Sequence, residues 1–319
     1  QGEITLGVWM QFNSYLWMLI MPMRMIGHIV NMFSRTSASA ERIFNILETE
    51  AEIKNIDNPI KVDRIKGEVE FKNVSLSYEE EDILKNISFQ ASPGETVAVM
   101  GATGSGKTSL INLIPRYYEV TEGQVLIDGI DNRNYDLQNL RSQVSIVMQA
   151  VFLFSESIAS NIAYGQPGLD LEKIKSAAAV SSAREFIEEM KAGFEEVIGE
   201  RGMGLSGGQK QRVSLARAIV EESPILILDD ATSAVDLETE HQIQQALESM
   251  EEKSTVFLIA HRISSVRNAA QILILDQGEI IERGSHAELI RKKGQYYRMF
   301  KEQYKEVIDE EEIKERWVN

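Results

Sequence analysis

Gly101-Ala102-Thr103-Gly104-Ser105-Gly106-Lys107-Thr108 is the stretch that decides the fold. It matches a phosphate-binding loop closed by Gly-Lys-Thr. It lies between the apolar run of residues 96–100 and a segment where Leu110, Leu113 and Ile114 recur at helical spacing. A chance glycine-rich turn would not carry a strand on one side and a helix on the other. Gly101, Gly104 and Gly106 let the backbone approach phosphate oxygens, Lys107 has the reach of a nucleotide's β- and γ-phosphates, and the Thr108 hydroxyl suits Mg²⁺. Ala102, Thr103, Ser105 and Ser109 complete the expected ATP-binding loop.

Further short apolar runs at residues 144–148, 225–228, 256–260 and 272–275 are separated by helical stretches. Continuous apolar strands are buried on both faces, as in a parallel sheet covered by helices, so the expected class is α/β with a P-loop core. Asp229 closes the run 225–228, where a carboxylate can hold Mg²⁺ through water. An Asp after a strand is commonly a turn residue; beside a phosphate loop it reads as a metal ligand. Residues 152–222 lack a comparable strand and are mostly helical in pattern, which marks an inserted helical subdomain.

Ahead of this core the chain changes character. Residues 4–23 carry no charge and, at ~1.5 Å per residue, match the ~30 Å of a bilayer's hydrocarbon core. Gln11, Asn13 and Ser14 would face a helix bundle or a wet cavity, while Trp9, Trp17 and the apolar run 16–23 favour a membrane over the core of a soluble domain. A signal peptide is disfavoured: the chain opens Gln1, Gly2, Glu3, without a basic start, and it reads as a piece of a longer protein. Residues 34–47 continue as an amphipathic helix projecting into the cytosol, with Arg35, Glu41 and Arg42 outward and Ile43, Phe44, Ile46 and Leu47 inward.

The expected division is 1–48 for the membrane helix and its extension, 49–66 for a linker, 67–298 for the nucleotide-binding cassette with its helical subdomain at about 152–222, and 299–319 for an acidic tail. After Gly294 the chain reads as a polar helix running into that tail, whose Asp309, Glu310, Glu311 and Glu312 read as solvated and are given no chemistry. Composition narrows the partners. A net charge of −16 opposes a nucleic-acid surface, and the absence of cysteine excludes disulfides, thiolate metal sites and cysteine nucleophiles. A hydrophobic share of 43% allows a sizeable core.

Leu205-Ser206-Gly207-Gly208-Gln209, followed by Lys210, Gln211 and Arg212, reads as a helix start. Ser206 is a good N-cap, Gly207 and Gly208 expose backbone donors, and Val213, Ala216 and Val220 form one apolar stripe. Such a terminus suits an anion. The run closely resembles the signature motif of ABC ATPases, and the resemblance extends over residues 67–298. It implies a P-loop (RecA-like) core with an antiparallel β subdomain and an inserted helical subdomain. It also implies that two cassettes sandwich ATP, each signature meeting the γ-phosphate held by the opposite subunit. By the same resemblance Tyr78 stacks on adenine, and Gln149 is the Q-loop glutamine that senses Mg²⁺ and faces the membrane domain. Glu200-Arg201-Gly202 would touch the coupling helices of the membrane domains. Asp236, in Ser233-Ala234-Val235-Asp236, belongs to the D-loop at the dimer interface, and His261 is the switch histidine.

One position departs from the family pattern. Exporters normally place Glu directly after the Asp corresponding to Asp229, and here the residue is Asp230. Losing one methylene withdraws the carboxylate by roughly an ångström, whereas a general base must come within ~2.6–3.2 Å of its proton. Misplacement on that scale can cost ~10²-fold in rate. In the family, such an Asp is found in heterodimeric exporters with one degenerate and one competent site. The reading is therefore an ATP-binding and ATP-hydrolysing subunit of an ABC exporter, integral to the cell membrane with its cassette in the cytoplasm. Its partner is a second half-transporter, as a heterodimer or a homodimer. The catalytic set is Asp230, His261 and Gln149, and Thr108, Gln149 and Asp229 hold Mg²⁺. A cassette behind a membrane helix in one chain favours an exporter, since importer ATPases are usually separate chains. Two rivals stand beside it. A regulatory cassette with little turnover would also suit Asp230; a DNA-repair or chromosome-maintenance ATPase would need sustained heptads between Gln149 and Leu205, which are missing.

Overall fold

The computed structural model describes residues 4–78, 81–166, 168–232, 235–248 and 254–304. It divides into two units, Gln1–Glu52 and Ile53–Asn319. The described residues of the first hold one helix, α1 (Leu6–Leu47), opened by Thr5, whose side-chain oxygen accepts from the Val8 N–H. Pro22 lies within it, where a proline removes one backbone hydrogen bond. By length and composition α1 can cross a membrane. Ile43, Phe44, Ile46 and Leu47, expected to point inward, are exposed. A lone helix offers them no inner side within this unit.

The second unit has, among the described residues, strands β1 (Val69–Tyr78), β2 (Glu81–Ala91), β3 (Thr96–Gly101), β4 (Glu122–Ile127), β5 (Ile130–Asp131), β6 (Val144–Val147), β7 (Ile225–Asp229), β8 (Thr255–Ile259), β9 (Gln271–Asp276) and β10 (Glu279–Gly284). They form an antiparallel sheet in the order β2-β1-β4-β5 and a six-stranded sheet in the order β10-β9-β3-β8-β7-β6. In the larger sheet β9, β3, β8, β7 and β6 run parallel, and β10 pairs antiparallel at the edge.

The apolar runs of the sequence are explained by burial on both faces. Ala98, Met100, Leu226, Leu228, Val256, Leu258, Ile272 and Ile274 point into one core. Their neighbours Val97, Val99, Ile225, Ile227, Phe257, Ile259, Leu273 and Leu275 point into the other. Successive side chains of a strand alternate in direction, so the interior positions of a strand between two cores are apolar, as in β3, β7, β8 and β9. The second core is shared with the antiparallel sheet, where Phe71 stacks on Phe89 at 4.6 Å and Phe89 meets Phe257 edge-on at 6.4 Å. Each such fully buried large apolar side chain contributes about 1.5–3 kcal/mol.

Helices α2 (Lys107–Asn112) and α3 (Leu137–Arg141) adjoin that second core. Helices α4 (Ile158–Ile162), α5 (Leu171–Val180), α6 (Arg184–Glu188) and α7 (Gly207–Val220) pack on the first. Then follow α8 (Leu237–Glu248), α9 (Ile263–Val266), α10 (His286–Lys292) and α11 (Gln295–Gln303).

Two segments differ from their expected character. Residues 53–66, read as linker, are laid along the cassette. The Asn55 amide donates to Asp136 at 3.0 Å, the Ile60 N–H to the Asn134 carbonyl at 2.8 Å and the Ile65 N–H to Gln143 at 2.7 Å, and Ile65 is buried. The chain after Gly294, read as a polar helix, begins as α11, whose Tyr296 and Phe300 are fully buried. Two aromatics four residues apart give that helix an inner face, which the surrounding charge conceals in the sequence. Asp309, Glu310, Glu311 and Glu312 lie outside the described residues.

Candidate functional site

Four neighbouring parallel strands deliver the candidate residues from their carboxyl ends. Gly101 ends β3 and Asp229 ends β7, while His261 and Gln149 follow two residues beyond β8 and β6. Because the order is β3-β8-β7-β6, all four meet along one edge of the sheet, where ligands of open α/β sheets bind.

The loop after β3 demands glycine at particular points. Gly101 has φ +152° and a side chain there would come within 2.2 Å of the Leu275 carbonyl oxygen; Gly106 has φ +99° and would meet Leu84 at 2.7 Å. Both sheets thus press on the loop from beneath. Lys107 is buried, and its Nζ donates to the carbonyls of Gly101 and Ala102 at 3.0 and 2.7 Å, bridging the loop. Burial lowers the pKa of this ammonium, against the opposing pull of Asp229 and Asp230. Ala102, Thr103 and Gly104 are exposed at the loop's crest. Ser105 Oγ is buried and makes no hydrogen bond among the described residues. With α2 beginning at Lys107, its first N–H groups also lack intrahelical acceptors. A hydroxyl, an ammonium and backbone donors around one small loop fit a phosphate chain.

The oxygen-rich side of the site is built by β7 and the turn after it. The Thr108 hydroxyl donates to Asp229 Oδ2 at 3.0 Å. Burial raises the Asp229 pKa, and the Thr108 hydrogen bond works the other way. Asp230 adopts φ +51°, its N–H donating to the Ile259 carbonyl at 3.0 Å, and its carboxylate lies 3.5 Å from Gln149 Nε2. Hydroxyl, carboxylate and amide oxygens are the donor set that suits Mg²⁺.

Tyr78, at the end of β1, meets Tyr118 edge-on at 5.2 Å. Burial, followed by Tyr118, raises its pKa, and Ser109 hydrogen-bonds to it. This half-exposed aromatic pair beside the start of α2 offers a flat surface for a base.

The signature residues stand elsewhere, at the start of α7. Ser206 Oγ accepts from the Gln209 N–H at 3.2 Å while Gln209 Oε1 accepts from the Ser206 N–H at 2.9 Å, and Leu205 is buried in the first core. This reciprocal cap serves the N–H groups of Ser206 and Gln209, while those of Gly207 and Gly208, in the first turn of α7, have no intrahelical acceptor. None of these bonds reaches residues 101–108. Asp236 caps α8, accepting from the Thr239 N–H and hydroxyl at 2.9 Å each, which holds its carboxyl below the usual range. Ser233 and Ala234 lie outside the described residues. Arg201 sits in a 3₁₀ turn, Glu200–Gly202, with φ +54°.

Three residues enter the neighbourhood unannounced. Gln211 Nε2 lies 3.5 Å from the Asp230 carbonyl, linking α7 to the site. Glu240 of α8 is buried and accepts from Arg262 at 2.7 Å, from Thr232 at 3.4 Å and from the Ser265 hydroxyl. Gln303 of α11 reaches the His261 backbone. Only Gln211 had a signal, two positions past the signature; nothing local distinguishes Glu240 or Gln303 from solvated helix residues.

The chain is similar to known proteins in sequence and in fold. The family model described as ABC transporter matches residues 84–233. An uncharacterized ABC transporter ATP-binding protein, YknU, of Bacillus subtilis (strain 168) is 44% identical over 309 residues, 96% of this chain and 53% of its own length. The ATP-dependent lipid A-core flippase of Syntrophus aciditrophicus (strain SB) is 42% identical over 98% of this chain and 52% of its own. A solved structure, of a bacterial Atm1-family ABC exporter with ATP bound, superposes with a TM-score of 0.81 at 36% identity, covering 95% of this chain and 54% of that one. The chain thus spans about half the length of the curated relatives it matches. It carries an ABC transporter ATP-binding domain, and its relatives include transporters of the exporter class.

Proposed function

We propose that this chain is one half of a heterodimeric ABC exporter, integral to the cell membrane with its cassette in the cytoplasm, and that its own phosphate site turns ATP over slowly. The carrying observation is Asp230, a short carboxylate fixed at its backbone to β8 where exporters carry Glu. A membrane-length helix in the same chain and exporter relatives of twice its length support the rest.

In this reading Lys107, Ser105 and the first N–H groups of α2 bind the phosphates and Tyr78 receives the adenine. Thr108, Asp229 and Gln149 hold Mg²⁺, which when bound neutralises charge developing on the phosphates. Asp230 takes the proton of the attacking water, and His261 orients the terminal phosphate. Ser206, Gly207, Gly208 and Gln209 serve the other ATP, on the partner's loop, with Asp236 at the interface. Closure of the two cassettes drives transport of a substrate through the membrane helices.

Two variants of the assembled transporter test the asymmetry. Ser206→Ala should remove most steady-state ATPase activity, because it damages the competent site, while Asp230→Ala should cost much less. Equal and severe losses would contradict the proposal.

A further inference from the structure

His261 lies in the short connection from β8 to α9, and α11 holds that connection from outside. Gln303, the last residue of α11, donates Nε2 to the His261 carbonyl at 2.6 Å and accepts at Oε1 from the Ile263 N–H at 2.8 Å. One carboxamide therefore fixes the peptide groups on both sides of Arg262. The N-cap of α9, Arg262, supplies no side-chain cap, so Gln303 provides an acceptor that the helix start would otherwise lack. Tyr296 and Phe300, both fully buried, sit seven and three residues before Gln303 on the same face of α11 and carry it into place. From the other side Arg262 donates to Glu240 at 2.7 Å and to the Val235 carbonyl at 3.4 Å. The histidine's backbone is thus bracketed between the C-terminal helix and the segment around Asp236.

We propose that Gln303 is a positioning residue for His261, so that the C-terminal helix sets the direction from which this histidine addresses the nucleotide. The inference rests on the reading of His261 as the residue that meets the terminal phosphate. Holding the His261 carbonyl fixes the rotation of the peptide that follows it and with it the aim of the imidazole. Gln303 is itself exposed, so water can satisfy the same backbone groups when the carboxamide is removed. What is lost is aim rather than folding.

The test uses dimers of the full chain carrying Asp230→Glu, so that turnover at this site is visible, with MgATP as the probe. Gln303→Met keeps the length and removes donor and acceptor; Gln303→Glu keeps the acceptor toward Ile263 but loses the donor toward His261. Both should lower kcat about tenfold, a displacement well under the ~1 Å that costs ~10²-fold, with KM within about twofold and an unchanged melting temperature. His261→Ala is measured alongside. If it lowers kcat while Gln303→Met does not, the inference is wrong and the reading of His261 stands. If His261→Ala leaves kcat intact, that reading falls and the inference with it. A parallel loss of kcat, KM and melting temperature in both Gln303 variants would mark an ordinary structural contact and also overturn the proposal.

Discussion

Replacing Asp230 by Glu in a dimer of the full chain isolates the slow-site proposal. The Asp230 backbone is tied by its N–H to the Ile259 carbonyl at 3.0 Å, so the added methylene lengthens the side chain without moving its root. The Asp230 carboxylate lies 3.5 Å from Gln149 Nε2, longer than a well-formed hydrogen bond. Roughly an ångström of extra reach brings it into the range a general base needs, and the gain expected from correcting that displacement is up to ~10²-fold, equivalent to about 2.7 kcal/mol of barrier. One effect opposes this. Position 230 has φ +51°, a left-handed conformation that Asp tolerates better than Glu, at a cost of about 1 kcal/mol in folding stability. The barrier term is larger and acts on the reaction, so turnover should rise while the melting temperature falls slightly. Phosphate release at saturating MgATP measures the first and thermal unfolding the second. Unchanged turnover with ATP still bound would show that the reach of this carboxylate does not limit the site.

The remaining predictions concern the support behind the site. His286 is buried, its Nδ1 lies 2.6 Å from the Tyr296 hydroxyl, and burial, aided by Arg267, pushes its pKa down to about 4. The unfolded chain takes up that proton first, near pH 6.5, so stability should be complete above that pH and decline as it falls toward about 4. The melting temperature followed through that window should show a shallower fall in His286→Gln than in the wild type; identical slopes would refute the assignment. Tyr296→Phe removes the hydroxyl from that buried contact and should destabilise the chain by about 1 kcal/mol in urea unfolding.

How much of this was legible in the sequence depends on where the controlling interaction lies. The parallel strands β3, β7, β8 and β9 were legible because each lies between two cores and its interior run is therefore apolar. The start of α7 was legible because its cap, Ser206 with Gln209, is contained within four residues. Features fixed by distant partners were not. Residues 53–66 look like linker because the side chains that hold them, Asp136, Asn139 and Gln143, come some eighty positions later. Glu240 looks solvated, since its partners Thr232, Arg262 and Ser265 converge on it only when α8 and α9 pack. The inner face of α11 is two aromatics amid charged residues, and its contact with His261 spans 42 positions. Along residues 43–47 the helical period was legible, but a period does not say what covers the face.

Nucleotide binding at the phosphate loop is tested by the MgATP affinity of the chain and of Lys107→Ala, by calorimetry or a fluorescent ATP analogue. Lys107 is buried within the loop and bridges the Gly101 and Ala102 carbonyls, so its removal deletes the one side-chain cation in that loop. Mg²⁺-dependent binding is expected in the wild type, with a loss of at least about tenfold in the variant, the scale of one charge-assisted contact to phosphate. Equal affinity of the two proteins for MgATP would contradict that expectation.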